Sequence, residues 1–341
     1  MSRWAERALN AILRRVTETE DQCGNRWPLY ADPDSALWTT TGRGSWTGGF
    51  WAGLLWLRAT VSADPRHTAV ACERTEALAP WVDADTATRG MIFWYATALA
   101  EGAEELRRRT ALACLNAHDP ELGLVPWGSA FGGPRLLARV DALPGLVRLL
   151  PEGGPAGAAA ADAHVALQLG LTTSAGAHPS WIAVPGGGWS PYPEPGPGWS
   201  RTVAWLALAV ADHAQVSPAG PVLLHCLCGW SGFTARFANG APIVPPASAV
   251  RPQGPADTSA AAIEAVAALK LAALTGEDRW RDRATEVLRV LVTDHLRDGR
   301  LLDGCYDLAH GVATSHELVW GDFFLALALA MLIGVIDPFA C

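Results

Sequence analysis

The chain has 341 residues, half of them hydrophobic and 18% charged, with a formal net charge of −8. This composition supplies a large core and excludes a disordered chain, which needs low hydrophobicity and high charge. It also lacks the basic balance that a nucleic-acid partner would call for, so an acidic ligand has to be met by local arginines.

The charged start, Met1 to Arg7, has no apolar signal core. A first helix is predicted over 2–19, where Trp4, Ala8, Ile12 and Val16 repeat at helical spacing with Arg and Glu on the other side. The next helix, over 45–60, opens with Gly44-Ser45-Trp46-Thr47-Gly48-Gly49-Phe50-Trp51. Ser45 is placed to cap it. Its glycines allow close approach, and its tryptophans offer flat apolar plates with one N–H donor each, which suits the face of a sugar ring. Further helices are expected over 66–79, 88–108, 109–117, 137–150, 156–170, 200–215, 219–230, 257–274, 277–296 and 317–335. In 88–108 the run Glu104-Glu105-Leu106-Arg107-Arg108-Arg109 reads as a basic helix end. Between Pro179 and Trp199 the Pro/Gly/Trp-rich segment reads as a long irregular loop, a substrate lid carrying Trp189 and Tyr192. Before 257–274, Asp257 or Thr258 is placed as a cap.

About twelve helices in pairs, alternately apolar and polar, predict an all-α fold of two concentric rings, with 1–341 as one domain. The most membrane-like run, Phe323 to Ile336, is too short to span a bilayer. The seven cysteines are odd in number, scattered and free of CxxC pairs, as in a reduced cytoplasmic protein. His225, Cys226 and Cys228 have no second ligand cluster, so no metal is expected. The expected partner is a small molecule or oligosaccharide, with neither nucleic acid nor membrane.

Four segments in order, Ser45-Trp46-Thr47-Gly48-Gly49-Phe50, Trp199-Ser200-Arg201-Thr202-Val203-Ala204-Trp205, Asp257-Thr258-Ser259-Ala260-Ala261-Ala262-Ile263 and Val319-Trp320-Gly321-Asp322-Phe323-Phe324, resemble the unsaturated glucuronyl hydrolases, glycoside hydrolase family 88, and the related unsaturated rhamnogalacturonyl hydrolases. The resemblance implies an (α/α)6 barrel and, with no cofactor, hydration of the vinyl ether of an unsaturated uronyl sugar. It implies Asp141 as general acid and base. As a lone carboxylate between apolar residues, Asp141 is also placed where burial would favour its protonated form. Trp46, His178, Arg201 and Trp205 are implied substrate contacts; Arg201 and Trp205 lie four apart on one helix face. Trp94, Trp127, Trp189 and Tyr192 are candidate pocket aromatics, with Phe93, Tyr95 and Phe131 beside them. The family's second aspartate falls at Ala87-Thr88, where this chain has neither His nor Asp; Asp83 and Asp85 lie just upstream. Asp257 and Asp322 are read as structural, and His316 with Glu317 as a solvated turn. The same fold with altered chemistry, either a repurposed biosynthetic enzyme or a sugar-binding barrel without turnover, is the alternative.

Overall fold

The amphipathic start forms α1 (Arg3–Cys23), which buries Ala5, Ala8, Leu9, Ile12, Leu13 and Val16 along one face. Met1 and Ser2, the second of which begins the segment expected to be helical, lie outside the residues described by this computed structural model, which are 3–174, 176–238 and 240–341. Twelve further helices follow among the described residues: α2 (Gly48–Ser62), α3 (Pro65–Glu76), α4 (Arg89–Thr97), α5 (Glu104–Ala117), α6 (Leu146–Leu149), α7 (Pro155–Ser174), α8 (Arg201–Val216), α9 (Gly220–Gly229), α10 (Ser231–Arg236), α11 (Thr258–Thr275), α12 (Asp278–Val290) and α13 (Val319–Leu332).

Six of them close a ring. α2 packs on α4, α4 on α6, α6 on α8, α8 on α11, α11 on α13, and α13 back on α2. Helices that are apolar all round must be enclosed, and α13 buries every residue from Val319 to Met331. The helices outside this ring have one apolar face: α12 buries Trp280, Ala284, Val287 and Leu288 and turns its charges outward. α1, α3, α5, α7, α9–α10 and α12 form this outer layer, each packed on an inner helix or its continuing turn. The result is the (α/α)6 barrel.

The chain passes from an outer to an inner helix at one end of the barrel and returns at the other. Return connections are short, such as Ala63–Asp64 and Ser217–Ala219. The outer-to-inner connections are long, such as 24–47, 118–145, 175–200, 237–257 and 291–318. All strands among the described residues lie in these long connections. β1 (Trp27–Ala31) pairs antiparallel with β2 (Trp38–Thr41). Three later strands, β3 (Leu137–Arg139), β4 (Ser180–Ala183) and β5 (Trp189–Pro191), form a second antiparallel sheet. β6 (Leu296–Arg297) and β7 (Arg300–Leu301) form a hairpin, and β8 (Glu317–Leu318) pairs with β1.

Several expected elements are corrected. The segment 137–150 is not one helix. It runs as β3, a 3-10 turn at Val140–Ala142, and then α6, because Gly145 adopts a left-handed φ of 73° after Pro144. The expected 88–108 helix breaks after Thr97 at a turn with Gly102 at φ 78°. Glu104 and Glu105 therefore open α5, where acidic groups suit the positive helix end. The 179–199 loop is largely the β4–β5 hairpin. Ser45 makes no cap; it begins a 3-10 turn, Ser45–Thr47, behind Gly44.

Inner helices approach closely where glycine permits it. A methyl group at Gly49 of α2 would overlap the Met91 and Ile92 carbonyls of α4. Gly49→Ala is expected to destabilise the barrel by about 2 kcal/mol or more, because backbone has to move to accommodate it. Chemical denaturation measures the loss, and an unchanged midpoint would contradict this packing.

Candidate active site

The inner helices begin at the end where the long connections gather. There the 3-10 turn before α2 packs on α4, and the turn bearing Asp141 packs on α8. Arg201, at the start of α8, reaches Asp257, just before α11. The starts of the inner helices thus surround one end of the barrel axis, its mouth.

Asp141 sits on the turn between β3 and α6. It is not a lone carboxylate. Arg139 holds it in a fork, with Nε 3.0 Å from Oδ1 and Nη2 2.7 Å from Oδ2. The side chains of Arg139 and Asp141 retain 20% and 15% of their exposure, so the pair is half-open. The Arg139 guanidinium lies 4.0 Å from the centre of the Trp127 ring. Trp127 is fixed in turn by its indole N–H, which donates to the Gly132 carbonyl at 3.1 Å. Strand register brings His178 to the same turn: Arg139 pairs with Ser180, and the Val140 N–H donates to the Pro179 carbonyl at 2.9 Å. Burial holds the His178 imidazole below its usual pKa, so it is neutral near pH 7. Its ring meets Trp181 edge-on at 5.5 Å. Trp189 stands on β5 opposite Ala183, packed against the small cluster of Leu124, Ala138 and Trp181. The N–H of Tyr192 donates to the Ser180 carbonyl at 2.9 Å.

Across the mouth, Trp46 stacks parallel to Tyr306 at 6.5 Å and packs on Trp320 at 5.0 Å. Tyr30 lies 5.5 Å from Tyr306 and 5.6 Å from His316. Tyr306 belongs to a hairpin over 304–316, closed by the Gly304–His316 and Asp307–Val312 bridges. Burial pushes its hydroxyl above the usual tyrosine pKa. No motif in the sequence marks Tyr30 or Tyr306.

Arg201 is committed to the protein itself. Nη1 donates to Asp257 Oδ2 at 2.8 Å and to the Cys305 carbonyl at 2.6 Å, and Nη2 donates to the Tyr306 carbonyl at 3.1 Å. Asp257 also accepts from the hydroxyls of Ser200 and Ser259, both at 2.6 Å, and so ties two inner helices to the 304–316 hairpin rather than capping α11. Trp205, 1% exposed, packs edge-on against Phe324 inside the ring. Trp94 is turned away from Asp141. Arg148 sits 4.9 Å from its ring and bonds the Phe339 carbonyl and Gln215, in the last turn of α8. Phe93 and Tyr95 are core residues, and Phe131 stacks on Trp81 at 5.2 Å.

At the position of the family's second acid, the hydroxyl of buried Thr88 meets that of Thr86 at 2.9 Å. Asp85 pairs with Arg135 and Ser129, and Asp83 is exposed. Neither aspartate shares a hydrogen bond with Asp141 or Arg139 among the described residues. Glu317 is not solvated; it is fully buried between Arg15 and Arg300. Asp322 accepts from the Leu301 N–H at 3.0 Å, and burial beside Glu317 raises its pKa. No group of three or more His, Cys, Asp or Glu side chains arranged to hold a metal occurs among the described residues.

The chain shares its fold with solved unsaturated glucuronyl hydrolases. One from Bacillus sp. GL1, responsible for the degradation of glycosaminoglycan, superposes with a TM-score of 0.80 at 20% identity, over 96% of each chain. One specific for heparin gives 0.81 at 17% identity, over 99% of this chain and 100% of the other. A variant from Streptococcus agalactiae complexed with dGlcA-GalNAc6S gives 0.69 at 17% identity, over 95% and 90%. No family model matches the chain, and no curated protein matches it.

Two tests follow from this geometry. Asp257→Ala leaves the Arg201 guanidinium buried without its counter-charge, at an expected cost of about 3–5 kcal/mol. Replacing both by apolar residues, Arg201→Met with Asp257→Leu, is expected to recover part of that loss in denaturant unfolding; no recovery would contradict the pairing. The loop leading to Trp127 is braced by His164 of α7, whose Nδ1 accepts the Val125 N–H at 3.4 Å and whose pKa burial lowers to about 3. The unfolded chain takes up a proton here below about pH 6.5 and the native one does not, so stability falls as pH drops from there towards about 3. His164→Gln is expected to flatten that part of the acid limb, read from urea midpoints against pH.

Proposed function

We propose that the mouth is a glycosidase-like site for an unsaturated uronyl sugar, with Asp141 as its single general acid and base. The observation that carries this reading is a half-open carboxylate just before an inner helix, held by an arginine that lies over a tryptophan, with a histidine two residues before the strand position paired with that arginine. The reading draws further support from the fold, whose solved neighbours are unsaturated glucuronyl hydrolases. In this reading Trp46 offers a plate for a sugar face, with Tyr306 beside it.

The chemistry asks little machinery of the protein. Protonation of carbon 4 of the vinyl ether leaves positive charge shared by carbon 5 and the ring oxygen. Water adds at carbon 5 and gives up a proton to the carboxylate that donated the first. The hemiketal so formed opens and releases the leaving sugar. One carboxylate serves both transfers, and its negative charge after the first, together with nearby aromatic faces, lowers the energy of the cation.

A second reading is favoured by Thr88 and by the Arg139 fork on both oxygens of Asp141. On that reading the barrel binds a sugar without turnover, or has been repurposed for another acid-catalysed step. The test is the loss of the ultraviolet band of the conjugated double bond when the protein meets a panel of unsaturated uronyl disaccharides. Loss with the wild type, reduced about a hundredfold or more in Asp141→Asn, is the expected outcome. A band that persists across the panel would overturn hydration and leave the second reading.

A further inference from the structure

Two arginines at this end of the barrel, Arg139 and Arg201, differ in what they have left to offer. Arg201 is 5% exposed and bonds Asp257, Ser259 and the carbonyls of Cys305 and Tyr306. Arg139 gives Asp141 only the edge formed by Nε and Nη2. A guanidinium carries five N–H donors. Both donors on Nη1 and the second on Nη2 make no hydrogen bond among the described residues, and the side chain is 20% exposed. The guanidinium carbon lies 4.0 Å from the centre of the Trp127 ring, so one face of the group is covered by the indole. Contact with a ring face uses none of the N–H donors.

We propose that the Nη1–Nη2 edge of Arg139 receives the carboxylate of the ligand, so that one guanidinium holds that carboxylate and Asp141 side by side. A planar two-donor edge matches a carboxylate in both spacing and charge. The specificity-determining cation is then Arg139, and Arg201 is a brace for the barrel mouth. The ligand class is a uronate, in keeping with the reading of the mouth as a uronyl site, on which this inference rests. Asp141 and the ligand share a positive charge and repel one another, so Asp141 weakens the binding it helps to orient.

The experiment is ligand-observed NMR titration with methyl glucuronoside, which has no double bond to hydrate, and with its neutral methyl ester. Binding is therefore read separately from turnover, and a protein that leaves the ultraviolet band intact still tests this inference. Arg139→Gln is expected to weaken the acid about tenfold or more while changing the ester little. Asp141→Asn is expected to tighten the acid about threefold, because a competing negative charge is gone. Arg139→Lys keeps the charge without the fork and is expected to fall between wild type and Arg139→Gln. If an Arg139 variant fails to fold, the sign of the Asp141→Asn change decides. Equal affinity for acid and ester in the wild type, no binding of the acid, or acid binding weakened in Asp141→Asn would each overturn the proposal.

Discussion

A chain that alternates between an outer and an inner ring forces every inner helix to point the same way. This constraint shapes the rest of the molecule. Parallel inner helices leave their free N–H groups at one end, where partial positive charge gathers. The long connections collect there too, because each must climb from the outer ring to the start of an inner helix. Asp257, Glu317 and Asp141 all lie in these connections, close to the start of an inner helix. The barrel therefore separates two tasks. The apolar ring supplies the core, and the rim gathers the charged and polar groups.

Charge at the rim is mostly consumed in assembly. Arg15 and Arg300 enclose Glu317, Arg201 holds Asp257, and Arg236 holds Glu264. These pairs are buried on at least one side, and each joins segments distant in sequence. Replacing such a pair with apolar groups is often neutral for stability, whereas breaking one is costly. Arg139 with Asp141 is the contrasting case. The pair is local, half-open and only partly saturated, so it is available to a ligand in a way that the others are not.

Much of the barrel was legible in the sequence because its causes are local and periodic. The spacing of Ala8, Ile12 and Val16 marks one face of α1, and unbroken apolar runs mark the inner helices. The helix break after Thr97 was less visible, since Glu104 and Glu105 suit a helix start as well as they suit the middle of a longer helix. The site was legible in position and obscure in state. Asp141 stands out by its place in the chain, but its fork with Arg139 depends on β3 ending in a turn that brings residues two apart face to face. Arg201 looked available until the 304–316 hairpin was seen to supply two of its acceptors. Tyr306 carries no sequence signal, because its role comes from the hairpin that sets it against Trp46.

The bonds from Arg201 to the carbonyls of Cys305 and Tyr306 have a consequence for access to the mouth. They fasten the base of the 304–316 hairpin to the same buried carboxylate that joins α8 and α11. A flap anchored in this way has no hinge where it meets the barrel, and swinging it aside would expose a buried ion pair. Traffic is left to the exposed tip around His310 and Gly311 and to the neighbouring β4–β5 hairpin. Movement at this end is therefore least costly at those two loop ends, where little buried structure has to be broken.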